Sequence, residues 1–171
     1  MQNHQAFLLS AGISWLPGAK YIEYPDRKVN IGSGYPTFTF TVTKAFAGIL
    51  GADANYTKWR VNISDELDLK LAGELKYSFT AGGFLQKDKV FGPDQIHFLG
   101  NQVLFAGPFT QSFQLAPYYR FSNTASLYGV GHIEYHLNGL LTNKIPGFKK
   151  LNWFLVTGAN SLLQEQGNYY V

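Results

Sequence analysis

The 171 residues contain no cysteine, which excludes disulfide bridges, thiolate metal ligands and a cysteine nucleophile. Charge is scarce as well. Lys, Arg, Asp and Glu make up 15% of the chain, against about a quarter in an ordinary soluble domain. The 14 basic and 11 acidic residues are scattered along the sequence, so no basic stripe exists and no nucleic-acid partner is expected. No run reaches the roughly 18 apolar residues of a membrane helix. The nearest approach, Ala6 to Leu16, is broken by Ser10, Gly12 and Ser14. No Lys or Arg precedes Lys20 and no small-residue cleavage site follows an apolar core. A signal peptide is therefore not expected within these residues, and the chain either stays inside the cell or is a piece of something longer.

Aromatic residues and glycine are plentiful, at 16% of the chain and 18 residues respectively. With 46% hydrophobic residues there is enough apolar surface to offset chain entropy, which excludes a disordered tail. The abundance of Gly, Thr, Tyr and Phe also excludes a helical bundle.

The dominant period is two, the signature of strands. From Phe7 to Trp15, Phe7, Leu9, Ala11, Ile13 and Trp15 oppose Leu8, Ser10, Gly12 and Ser14. Thr37 to about Lys44 sets Phe38, Phe40 and Val42 against four threonines. Tyr56 to Ser64 sets Trp59, Val61 and Ile63 against Lys58, Arg60, Asn62 and Ser64. Gly73 to Leu85 sets Leu75, Tyr77, Phe79 and Ala81 against Glu74, Lys76, Ser78 and Thr80. A hairpin link over Asp65 to Ala72 predicts that Lys58 or Arg60 lies near Glu74 and Lys76. Gln86 to Gly107 lacks sustained alternation and predicts a long loop. Phe113 to Phe121 alternates around Pro117, which demotes it to an edge strand or a folded part of that loop. Leu127 to Leu137 and about Asn152 to Leu163 complete an all-β antiparallel meander of about six to seven long strands. No internal repeat is present.

Ordinary strands average about 5 to 6 residues, whereas these alternations persist for about 8 to 13, near the 9 to 11 of a tilted membrane-crossing strand. From Phe7 to Trp15 is roughly 26 Å of strand, which places aromatics near both edges of an apolar band about 25 Å tall. The expectation is part of a transmembrane β-barrel. Seven strands cannot close a bacterial outer-membrane barrel, which needs at least about eight, and an open edge in lipid leaves backbone groups unsatisfied. Residues 1–171 are accordingly read as a single partial barrel domain, a fragment of a larger barrel that supplies the remaining strands.

Three segments carry a resemblance: Pro25-Asp26-Arg27-Lys28, Gly100-Asn101-Gln102, and His132 to Leu151, which reads HIEYHLNGLLTNKIPGFKKL. Together they resemble the C-terminal barrel of an uncharacterised outer-membrane family of Bacteroidota. Its members resemble TonB-linked proteins in carrying an N-terminal carboxypeptidase-regulatory-like domain. That barrel is similar, more loosely, to the surface-antigen barrels of outer-membrane protein assembly and two-partner secretion. The resemblance implies that the first, third and sixth strands run inward and that three strands follow the last. It also implies that Gln86 to Ser126 is an external loop able to fold into the lumen. The Arg-Gly-Tyr or Arg-Gly-Phe signature of the assembly barrels is replaced here by Tyr118-Tyr119-Arg120-Phe121, so their assembly activity is not carried over.

The candidate lumen-lining residues are Lys58, Arg60, Glu74, Lys76, His132, Glu134 and His136. The last three share a strand face and include zinc-ligand types, but same-face neighbours stand about 6.6 Å apart, which favours a polar lining over a metal site. The mixed charges of the first four suit pairing across a narrow interior better than anion selection. Arg120 is the candidate loop anchor, reaching a lumen carboxylate or else stacking on Tyr119 and Phe121 at the surface. Lys144, Lys149 and Lys150 around Pro146 suit a turn near the membrane edge, with or without headgroup contact. No Gly-x-Ser-x-Gly, HExxH, Walker loop or GxGxxG motif occurs, and Asp65 and Glu66 sit by a turn, so no enzyme, metal or cofactor is expected. The expected protein is a non-catalytic segment of a Gram-negative outer-membrane barrel, serving as scaffold, in transport or in biogenesis, with lipid as its partner. A soluble β-barrel or sandwich binding an apolar ligand is the alternative.

Overall fold

The computed structural model describes residues 4–98, 100–101, 113–117, 119–137, 155–164 and 167–170. β1 spans Leu8–Trp15, β2 Tyr21–Glu23, β3 Lys28–Asn30, β4 Thr37–Ala45, β5 Asn55–Asp68 and β6 Glu74–Lys89. β7 spans Gly100–Asn101, β8 Phe113–Pro117, β9 Tyr128–Leu137, β10 Leu155–Gln164 and β11 Gly167–Tyr170. Seven of these form one sheet in the order β1, β4, β5, β6, β9, β10, β11, and every neighbouring pair is antiparallel. The expected all-β meander is present. Among the described residues β1 and β11 are the sheet edges and do not pair with each other.

Four details differ from the periodicity. β5 and β6 run on past Ser64 and Leu85, and the turn between them is only 69–73, where Gly73 takes φ 110° and Lys70 φ 56°. Asp65, Glu66 and Asp68 resemble turn residues in isolation, yet they pair with Tyr77, Lys76 and Glu74 and so lengthen the ladder. A short hairpin, β2 with β3, interrupts the path from β1 to β4. β8 ends at Pro117 and pairs with β7 in parallel, consistent with a folded part of the long loop. β11, at the end of the chain, adds a strand that alternation did not reveal. Residues 152–154 and the turn lysines Lys144, Lys149 and Lys150 lie outside the described residues.

Because directly paired residues share a face, the register sorts the side chains of β1, β4, β5, β6, β9 and β10. One face carries Ile13, Phe40, Val61 and Ala81 in one row and Trp15, Phe38, Ile63 and Phe79 in the next. The other carries Gly12, Thr41, Arg60 and Gly82 beside Ser14, Thr39, Asn62 and Thr80. The apolar face is uncovered: Ile13 is 71% exposed, Trp15 62%, Phe79 46% and Leu163 46%. Rings mark its two ends, Trp15 against Phe38 at 5.6 Å and Phe7 against Phe46 at 6.4 Å.

The buried residues sit on the polar face instead, where the described parts of residues 90–127 fold over it. One cluster joins Ala45, Ala54, Tyr56 and Phe84 to Val90, Phe91 and Ile96, and the other joins Phe113, Ala116 and Leu162 to Phe98, Phe121 and Val130. Close approach here depends on Gly83. A Cβ at that position would stand 2.0 Å from the Ser126 carbonyl oxygen, next to the hydrogen bond that Phe84 N donates to Ala125 O. Gly83→Val is therefore expected to cost about 3 kcal/mol or more, read as a lower midpoint in denaturant unfolding. Gly129→Val, where a Cβ meets nothing nearer than Leu163 at 3.8 Å, should shift it far less.

Candidate functional site

All seven expected lining residues, Lys58, Arg60, Glu74, Lys76, His132, Glu134 and His136, fall on the polar face. They form two groups. At the end carrying the 69–73 turn, Lys76 lies between Glu66 at 3.3 Å and Glu74 at 3.2 Å. Glu134 contacts His136, two residues along β9, and His132 Nδ1 meets Asn160 Oδ1 of β10 at 2.6 Å. Asn62 Nδ2 donates to Ser78 Oγ and Thr80 Oγ1, both at 2.9 Å. A cleft of about 630 Å³ opens here, lined by Ser64, Glu66, Lys76, Ser78, His132 and Asn160 among others.

Lys58 and Arg60 lie toward the opposite end, not near Glu74 and Lys76. The longer ladder pairs Lys58 with Phe84 and Arg60 with Gly82. A Cβ at Gly82 would meet the Tyr128 hydroxyl at 2.7 Å, so glycine there leaves room for that ring. Lys58 Nζ donates to the Asp94 carbonyl at 2.8 Å and lies 4.7 Å from the Tyr56 ring centroid.

Asp94 is the hub that holds the loop to the sheet. Its carboxylate accepts a hydrogen bond from the Tyr56 hydroxyl at 3.1 Å and from Phe91 N at 3.3 Å, and lies 3.1 Å from His4 Nε2. Gly92 and Pro93 set up the 3-10 turn Gly92–Asp94 that aims it inward. A second fastening runs through buried Asn123, whose Nδ2 donates to Gln164 Oε1 of β10 at 2.6 Å. Its Oδ1 accepts from Ala125 N at 2.9 Å. Phe98 and Phe113 cover Tyr128 and His132 at 5.3 and 5.2 Å between centroids.

Arg120, the expected anchor, is exposed and stacks 5.7 Å from the Phe121 ring. The fastening has the opposite polarity: the carboxylate is on the loop, and the donors are on the sheet and at His4. Gly92-Pro93-Asp94 is visible in the sequence as a turn, but nothing local tells that its carboxylate meets Tyr56.

Chemically, charges at the 69–73 end of the face offset one another. Lys76 pairs with Glu66 and Glu74, and Glu134 with His136, and among the described residues no group of three or more His, Asp or Glu is placed to hold a metal ion. His97 Nδ1 lies 2.8 Å from Ser122 Oγ, with Nε2 near the Pro93 carbonyl. Both residues belong to the loop, and the contact staples one part of it to another.

Comparison with curated proteins gives no match, and comparison with solved structures gives none. A family model described as "Family of unknown function (DUF5686) C-terminal domain" matches residues 1–171. The matched span covers the whole sheet and the loop packed on it, and the chain belongs to that family.

Proposed function

We propose that this chain is a sector of the wall of a Gram-negative outer-membrane β-barrel. It has no chemistry of its own and serves as membrane scaffold, in transport or in outer-membrane biogenesis. The apolar face meets lipid acyl chains, the polar face lines a lumen, and the described parts of residues 90–127 fill one end of it. The observation that carries this reading is the inverted placement of the core. Large apolar side chains stay exposed across adjacent strands of one face, while the buried clusters lie under the loop on the other. An isolated domain in water does not leave such a continuous apolar sheet face open. Strands that run up and down in chain order add support, as does the resemblance of the His132 to Leu151 segment to Bacteroidota barrels.

Envelope fractionation of the full-length protein is the test. It should sediment with the outer membrane, require detergent for extraction and run differently on gels before and after boiling. A monodisperse folded monomer released by buffer alone would overturn the proposal and favour a soluble barrel with an apolar ligand.

A further inference from the structure

The β2–β3 hairpin is amphipathic in a way that the rest of the chain does not use. Tyr24 and Arg27 close it through reciprocal backbone hydrogen bonds of 2.8 and 3.4 Å around Pro25-Asp26, a two-residue turn whose first corner proline pre-sets. The register pairs Tyr21 with Asn30, Ile22 with Val29 and Glu23 with Lys28. Strand alternation then puts Ile22, Tyr24, Val29 and Ile31 on one face, together with Lys20 and Arg27 at its two ends. The opposite face holds Tyr21, Asn30 and the Glu23 to Lys28 ion pair at 3.2 Å. All four apolar residues of the first face are exposed, Ile31 at 55% and Tyr24 at 48%.

We infer that this face of the hairpin lies on the bilayer surface and binds phosphate headgroups through Lys20 and Arg27. The inference rests on the barrel reading above. Two observations choose lipid as the occupant. The hairpin links the end of β1 to the start of β4, beyond the end of the sheet that carries the Trp15–Phe38 ring pair. Its two cations share the apolar face, while the carboxylate of Glu23 is turned to the other and held by Lys28. Apolar residues flanked by Lys20 and Arg27, which have no carboxylate partner among the described residues, suit the depth where acyl chains meet phosphates, about 5 to 10 Å into the interface. Arg27, 5.9 Å from the Tyr24 ring centroid, is placed beside an aromatic as interfacial cations are.

The test uses the full-length protein reconstituted in phosphatidylethanolamine and phosphatidylglycerol vesicles, with a fluorophore on a single cysteine. Three sites are compared: Val29→Cys on the apolar face, Asn30→Cys on the opposite face, and Phe40→Cys on the exposed face of β4. Lipids spin-labelled near the headgroup should quench the Val29 site several-fold more than the Asn30 site. Lys20→Glu combined with Arg27→Glu should remove that difference while heat-modifiable mobility shows the barrel intact. Quenching at Phe40 by acyl-chain spin labels with none at Val29 would overturn this inference alone. So would protection of Val29 from both lipid quenchers and aqueous iodide, which would mean that protein covers the hairpin. Absence of quenching at Phe40 would sink the barrel reading itself.

Discussion

Asp94→Ala is expected to release the described parts of the 90–127 segment from the sheet while leaving the strands paired. Asp94 is 5% exposed, and its removal strips the acceptor from the Tyr56 hydroxyl and from Phe91 N, along with the partner of His4. A buried donor left without a partner costs about 1 to 3 kcal/mol, so the combined loss is about 3 kcal/mol for docking of the segment. Hydrogen exchange should speed up on the order of a hundredfold in residues 90–98 and 119–127, with little change in β4 and β5. Tyr56→Phe removes one donor, leaves the carboxylate and should cost about 1 kcal/mol. Equal exchange in wild type and Asp94→Ala would show that the Asn123 fastening and the ring contacts hold the segment without the Asp94 carboxylate.

Phe40→Arg carries the second large effect. Phe40 is 45% exposed on the apolar face, one row from Trp15 and Phe38. If this face meets lipid as proposed, a cation near its middle costs about 2 to 4 kcal/mol. The variant should fold into vesicles with a lower urea midpoint and a smaller fraction of heat-modifiable protein. Thr39→Lys, one residue away but on the polar face beside Asn62, should be tolerated. Parity makes the pair decisive, since neighbouring positions of one strand are predicted to differ by the width of the sheet. Equal effects would refute the assignment of the two faces.

Much of this architecture is written in the alternation itself. Where eight or more residues alternate, as in β1, β4 and β9, the strand bounds lie within about a residue or two of the pattern, the scatter usual for strand ends. The face of each candidate lining residue follows directly. What alternation does not specify is register. A hairpin's pairing depends on where its turn closes, and Asp65, Glu66 and Asp68 carry turn-like chemistry although Lys76 and Tyr77 draw the first two into the ladder. Moving the turn to 69–73 carries Lys58 and Arg60 away from Glu74. The β2–β3 strands are three residues each, too short for a period to register, although Pro25-Asp26 marks their turn. The loop fastening was hidden for a different reason. Asp94 and Tyr56 meet only after β5, β6 and the loop have all been placed, so the contact belongs to tertiary structure alone.

The chain-order arrangement of the sheet also bears on how it assembles. Each strand lies beside the one that precedes it in the sheet, so no step requires threading between strands already joined. The five-residue turn at 69–73 closes the smallest entropic gap among the long strands, whereas joining β6 to β9 must close the span 90–127, and each doubling of span adds about 0.6 kcal/mol. The β5–β6 pair therefore makes the natural seed, with β4 and then β1 zipping onto one flank. β9 joins the other flank once the intervening segment has condensed against Tyr56 and Phe84. On this order a lesion in the Asp94 contact would delay one flank of the growing sheet and leave the other on schedule.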